Sequence, residues 1–194
     1  MATETKVLDG VLASSGLNNA TVANLQAQDG NWATATANNT NTSVRASTPT
    51  PTGPPNSGAN LQTVTVQTRK NTTNSGSPTG TISVGFNGTV VISGSSFSIT
   101  AAPSSSQTNT LTFDFATLVA AGAASSGSDF EIWIDTISAS GSPSVRNSAD
   151  IGYIGWTVDY SVAGRTASAA INDGDDGVSS AGSLVLTATA ASSP

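Results

Sequence analysis

Residues 154–162 read Ile-Gly-Trp-Thr-Val-Asp-Tyr-Ser-Val. Ile154, Trp156, Val158, Tyr160 and Val162 fall on every second position, with small or polar residues between them. A strand turns successive side chains to opposite faces, so this period of two marks a strand with one face on a core. It is the longest such run in the chain, and shorter runs of the same kind surround it.

Upstream, Phe130, Ile132 and Ile134 alternate with Glu131, Trp133 and Asp135. Leu111, Phe113 and Phe115 repeat the pattern, as do Phe97 and Ile99, then Ile82, Val84 and Phe86, then Val64 and Val66 within 61–70. Leu184 and Leu186 give a last short instance. Clusters of Gly, Asn, Ser and Pro at 71–80, 87–88, 93–96, 103–109, 122–128 and 140–148 supply turns between them. Helical periodicity is almost absent, and one short helix fits at 115–121. Many short strands with this spacing predict an all-β fold, an antiparallel β-sandwich of jelly-roll-like or Ig-like type. No internal repeat points to a propeller or solenoid. Trp156 is expected in the core, with Phe86, Phe97, Phe113, Phe115, Phe130, Tyr153 and Trp32 carrying much of the rest.

Residues 48–59, Thr-Pro-Thr-Pro-Thr-Gly-Pro-Pro-Asn-Ser-Gly-Ala, hold four of the eight prolines. Proline cannot donate to a ladder, so this is a surface loop inside one β-sandwich domain spanning 31–194. Residues 1–30 scatter Val7, Leu8, Val11, Leu12, Leu17, Val22 and Leu25 among polar and glycine breaks. They read as an extended N-terminal arm whose Val7, Leu8, Val11, Leu12 and Leu17 dock on a neighbouring subunit.

Composition excludes most chemistry. Histidine and cysteine are missing from the 194 residues, and Ser and Thr together make up roughly 30%. The commonest general base, the commonest metal ligand, the thiol nucleophile and the disulfide are therefore unavailable. A serine hydrolase elbow would lack its His partner. Six Lys and Arg against twelve Asp and Glu give a net charge of −6, too few cations for a phosphate-neutralising face. Nucleic acid and anionic lipid are accordingly not expected as partners. No stretch approaches the ~20 apolar residues of a membrane span. The start lacks the basic and apolar regions of a signal peptide, which predicts synthesis in a cytoplasm without export.

Acidic residues are the remaining catalytic material. Glu131 and Asp135 share a strand face but lie four residues apart, roughly 13 Å by strand rise, and Asp114 and Asp159 sit on other elements. No pair suited to glycoside cleavage stands out. Asn172-Asp173-Gly174-Asp175-Asp176-Gly177 is the densest acidic cluster. It lacks the twelfth-position Glu of an EF-hand and reads as an Asp/Gly turn. No enzyme activity, cofactor or metal is expected. Trp133 and Tyr153 are placed on outward faces. An outward Trp is expected at an interface, and a glycan is the other ligand such a platform fits.

A series of short motifs carries a resemblance over about residues 31–162. They are Trp32-Ala33-Thr34-Ala35, Thr42-Ser43-Val44-Arg45-Ala46-Ser47, Gly58-Ala59-Asn60-Leu61-Gln62 and Val66-Gln67-Thr68-Arg69-Lys70. Arg146-Asn147-Ser148-Ala149-Asp150-Ile151-Gly152 and Gly155-Trp156-Thr157-Val158-Asp159-Tyr160 complete it. The series resembles structural proteins of tailed-bacteriophage virions, in particular small β-sandwich accessory proteins of the head or tail. The resemblance implies a non-enzymatic, multi-copy or homo-oligomeric virion component made in the host cytoplasm. Its first form is a capsid decoration or cement protein bound to the major capsid protein on the outer shell. The alternative is a tail or fibre accessory, bound to tail subunits and contacting the host surface through glycan.

Overall fold

The computed structural model of the chain describes residues 2–28 and 30–162. Twelve strands and two short helices follow in order: β1 (Ala2–Val7), β2 (Gly10–Ser15), β3 (Leu17–Asn18), α1 (Val22–Leu25), β4 (Thr34–Ala35), β5 (Thr42–Ser47) and β6 (Gln62–Lys70). Then come β7 (Thr79–Phe86), β8 (Thr89–Ser93), β9 (Phe97–Ser98), β10 (Gln107–Phe113), α2 (Phe115–Ala120), β11 (Phe130–Ile137) and β12 (Ala149–Tyr160). Sheet A has the order β1-β12-β6-β10, and sheet B the order β2-β5-β11-β7-β8, with β9 also on β7. Every strand pair in both sheets is antiparallel. β3 and β4 make a separate two-stranded ribbon.

The two sheets close face to face on the alternating residues. Ile154, Trp156 and Val158 of β12 and Val64 and Val66 of β6 are buried from one side. Phe130, Ile132 and Ile134 of β11, with Ile82 and Val84 of β7, are buried from the other. Aromatic rings span the gap: the centroids of Phe130 and Trp156 are 4.0 Å apart, and those of Phe113 and Phe130 are 5.7 Å apart. The all-β antiparallel sandwich expected from the alternation is therefore the architecture of the described residues.

Helix α2 starts at Phe115 because Asp114 caps it, accepting from the Ala116 N–H at 2.9 Å. Phe115 thus belongs to the helix, not to the strand alternation of Leu111 and Phe113, and it is buried against Trp156. The single-turn α1, capped by Thr21, was not expected. β12 ends at Tyr160, and Val162 stands exposed beyond it. Trp32, Tyr153, Phe86 and Phe97 are only half-buried, so the aromatic core is smaller than expected.

Residues 2–28 are not an arm. β1 pairs along β12, with Ala2 opposite Tyr160 and Val7 opposite Gly155. β2 pairs along β5. Leu8 and Leu25 are buried in the core, and Val11, Leu17 and Val22 pack against it. The polar breaks that hide this from the sequence are the edge-strand residues themselves. Glu4 and Lys6 lie opposite the core residues Val158 and Trp156, pair with each other at 3.0 Å, and put charge on the inward side of an edge. The proline loop covers that edge, its Thr52 N–H and hydroxyl donating to the two Glu4 carboxylate oxygens at 2.6 and 2.8 Å. The same loop buries Pro51 and Pro55 and donates the Gly58 N–H to Asp114.

Leu184, Leu186 and the acidic cluster at 172–177 lie outside the described residues.

Candidate functional site

On the outer face of sheet B, the odd residues of β11 stand opposite those of β5. The register sets Trp133 across from Arg45 and Glu131 across from Ser47. Arg45 reaches diagonally and grips Glu131 with two bonds, Nε to Oε2 at 2.8 Å and Nη2 to Oε1 at 2.7 Å. Its Cζ lies 5.6 Å from the centroid of the Trp133 ring. Glu131 is 7% exposed, so its charge is held under the guanidinium. Donating these hydrogen bonds to the Glu131 carboxylate raises the Arg45 pKa above its ordinary value.

A third donor fixes the carboxylate. Asn87 and Gly88 take φ of 46° and 82°, the paired left-handed geometry of an Asn-Gly hairpin between β7 and β8. That turn aims the Gly88 N–H at Glu131 Oε2, 3.0 Å away. A β-carbon on Gly88 would sit 3.3 Å from Arg45, so the turn packs directly on the guanidinium. The result is a charge-balanced platform of one indole and one clamped guanidinium. Trp133 was legible in the sequence as an outward ring. Its partner Arg45 was not, because only the strand register joins residues 45 and 133.

A second concave site lies on the outer face of sheet A. Trp32, Gln28, Gln67, Arg69 and Ser104–Ser106 line a groove of about 330 Å³. Arg69 Cζ lies 4.2 Å from the centroid of the Trp32 ring, and its Nε donates to Asp150 Oδ2 at 3.0 Å. The other Asp150 oxygen accepts the Ala35 N–H at 2.9 Å. Gly152 leaves room for the indole, since a β-carbon there would come within 2.9 Å of it. Tyr153 in turn lies across Gly155, whose own β-carbon would overlap the phenol. Burial raises the Tyr153 pKa. Glycines inside a strand signal close approach of another group. That is the one sequence feature that could have located these rings.

The remaining candidate residues divide differently. Leu8, Val11 and Leu17 serve the chain's own core, and Val7 is half-buried opposite Gly155. Leu12, at the break in the β2–β5 register, is 47% exposed. The four acidic residues stay apart. Glu131 holds Arg45, Asp114 caps α2, Asp159 accepts from Asn56, and Asp135 is exposed on β11 with its pKa raised by desolvation. Among the described residues no three acidic groups gather as a metal site would require. No helix of the described residues is long and apolar enough to cross a membrane.

No family model matches the chain, and no curated protein matches it. Among solved structures it is similar to the C-terminal CBM6 of LamC, a marine laminarinase from Zobellia galactanivorans. Sequence identity is 9%, with 81% of this chain and all of that one covered, at a TM-score of 0.41. A likeness at that level carries no inference about ligand or activity.

Proposed function

We propose that the chain is a non-enzymatic structural component of a bacteriophage particle, a decoration protein that sits on the outer shell and contacts it through the outer face of sheet B. The observation that carries the proposal is the clamped Arg45 beside Trp133. Trp and Arg are the side chains that most often dominate protein interfaces. Here the guanidinium is fixed in advance by Glu131 and Gly88, so docking costs little side-chain entropy. A platform with balanced charge suits contact with a large neutral surface better than capture of an ion.

The test uses particles that lack this protein. Parent chain and Trp133→Ala are mixed with them and the sedimenting fraction is measured. The variant is expected to melt like the parent and to be depleted from particles about tenfold or more. Equal incorporation removes sheet B from the reading.

A tail or fibre accessory that holds host glycan is the second reading. The groove of Trp32, Gln28, Gln67 and Ser104–Ser106 favours it, because amides and hydroxyls beside an aromatic ring suit a polyhydroxyl ligand. Binding of the full chain to immobilised glycans, lost in Gln67→Ala while particle binding persists, would select that reading.

A further inference from the structure

Among the described residues the two sheets end at β1 and β10, and at β2 and β8 with the two-residue β9 on the same side of β7; β1, β2 and β8 are guarded. β1 carries inward Glu4 and Lys6 under the proline loop. β2 breaks register between Val11 and Ala13. β8 breaks register between its pairings with Val84 and Gly85. β10 has none of these devices. Gln107-Thr108-Asn109-Thr110-Leu111-Thr112-Phe113 contains no charge and no proline, and pairs with β6 in unbroken register over all seven residues. An edge of this kind is a ready template for another strand.

A cavity lies along this edge. Thr108, Asn109, Thr110, Leu111 and Thr112, five consecutive residues, line one cavity of about 470 Å³, with Ile82 and Gly94–Phe97 forming its far wall. Consecutive residues point to opposite faces, so a cavity touching all five runs along the strand's open backbone edge. Gln107 ties the start of β10 to Ser98 and Thr100, and the opening begins at Thr108.

We infer that this edge pairs with β10 of a second copy of the chain, antiparallel about a two-fold axis at Thr110, joining two A sheets into one eight-stranded sheet. Centring on Thr110 is the only register that uses all seven residues. It sets Thr108 opposite the second copy's Thr112, and Thr110 opposite itself. Every outward pair is then Thr–Thr, a favourable cross-strand contact, and no like charges meet. An isologous contact of this kind closes on itself and leaves no free β10 edge. The inference is independent of which face meets a particle.

Two double variants of the full chain test it. Thr108→Lys with Thr112→Glu places opposite charges across the axis twice. Thr108→Lys with Thr112→Lys places like charges there twice. All four hydroxyl-to-charge changes are at exposed positions, so both proteins are expected to melt as the parent does. Sedimentation equilibrium over a concentration series should show the parent as a monomer–dimer system. The complementary variant should dimerise more tightly than the repulsive one by on the order of tenfold. A parent that stays monomeric throughout overturns the inference. So do two variants with equal dimer constants, whether the association is then due to another surface or to a different strand on β10.

Discussion

Replacing Trp156 with alanine removes the ring at the centre of the sheet-to-sheet contact. The side chain is fully buried, with Phe130 4.0 Å and Phe115 5.8 Å away between centroids. Truncating a buried Trp typically costs about 3–5 kcal/mol, and aromatic pairs add about 0.5–1.5 kcal/mol each beyond area. One term opposes this. The indole N–H is buried with no acceptor among the described residues, and removing such a group returns about 1–3 kcal/mol. The net expectation for Trp156→Ala stays at about 3–5 kcal/mol, or roughly 6–20 °C in Tm for a domain of this size. Trp156→Phe keeps a ring and also removes the orphan donor, so it should lose less than half as much. Thermal melts followed by near-ultraviolet circular dichroism compare the three proteins. If Trp156→Ala melts within 2 °C of the parent, the ring does not hold the sheets together. If the phenylalanine variant falls as far as the alanine one, the unpaired donor was assigned the wrong sign.

Deleting residues 1–25 removes β1, β2 and the buried Leu8 and Leu25, so the remainder should show no cooperative melt; a folded, soluble product would restore the arm. Asp114 is held below the usual aspartate range by the N–H groups of Gly58 and Ala116. Its contribution is complete above an unfolded pKa of about 3.9 and is lost as pH falls through the lower folded value. Asp114→Asn should therefore lower Tm at pH 7 and flatten the acid limb between pH 5 and 2, which a series of melts across pH will show. Glu131→Gln weakens bonds to Arg45 and Gly88 and should cost about 1–3 kcal/mol, read as a lower urea midpoint at unchanged slope.

The sandwich was legible where large apolar residues alternate, which includes the edge strand β10 and misses the inner strand β5, whose buried positions hold only Thr42, Val44 and Ala46. β6, β7, β11 and β12 each turn one face to the core between the sheets, and on that face apolar residues recur at every second position. β1 hides because an edge strand can turn Glu4 and Lys6 inward, leaving no apolar pattern to read. β8 hides for the opposite reason: Val90, Val91 and Ile92 run without alternation where the strand bulges. The Arg45–Glu131–Trp133 platform joins residues 86 positions apart, through a register that no local pattern encodes. The Trp32 groove joins Trp32 to Arg69 and Gly152 in the same way.

The pairing of Ala2 with Tyr160 has a consequence for how the chain is made. Sheet B draws on residues 10–137, so a growing polypeptide can assemble it while β12 is still unsynthesised. Sheet A has β12 as an inner strand, so β6 can pair with β10 beforehand, but β1 has no partner in the sheet and β6 lacks its second one until residue 160 has emerged. During that interval Ile132, Ile134 and Val84 lack the cover of Ile154, Trp156 and Val158. Contacts so distant in sequence also form slowly. Emergence of β12, rather than any local turn, times the closure of the core, and a pause in translation just before β12 should expose the nascent protein to aggregation or to chaperones.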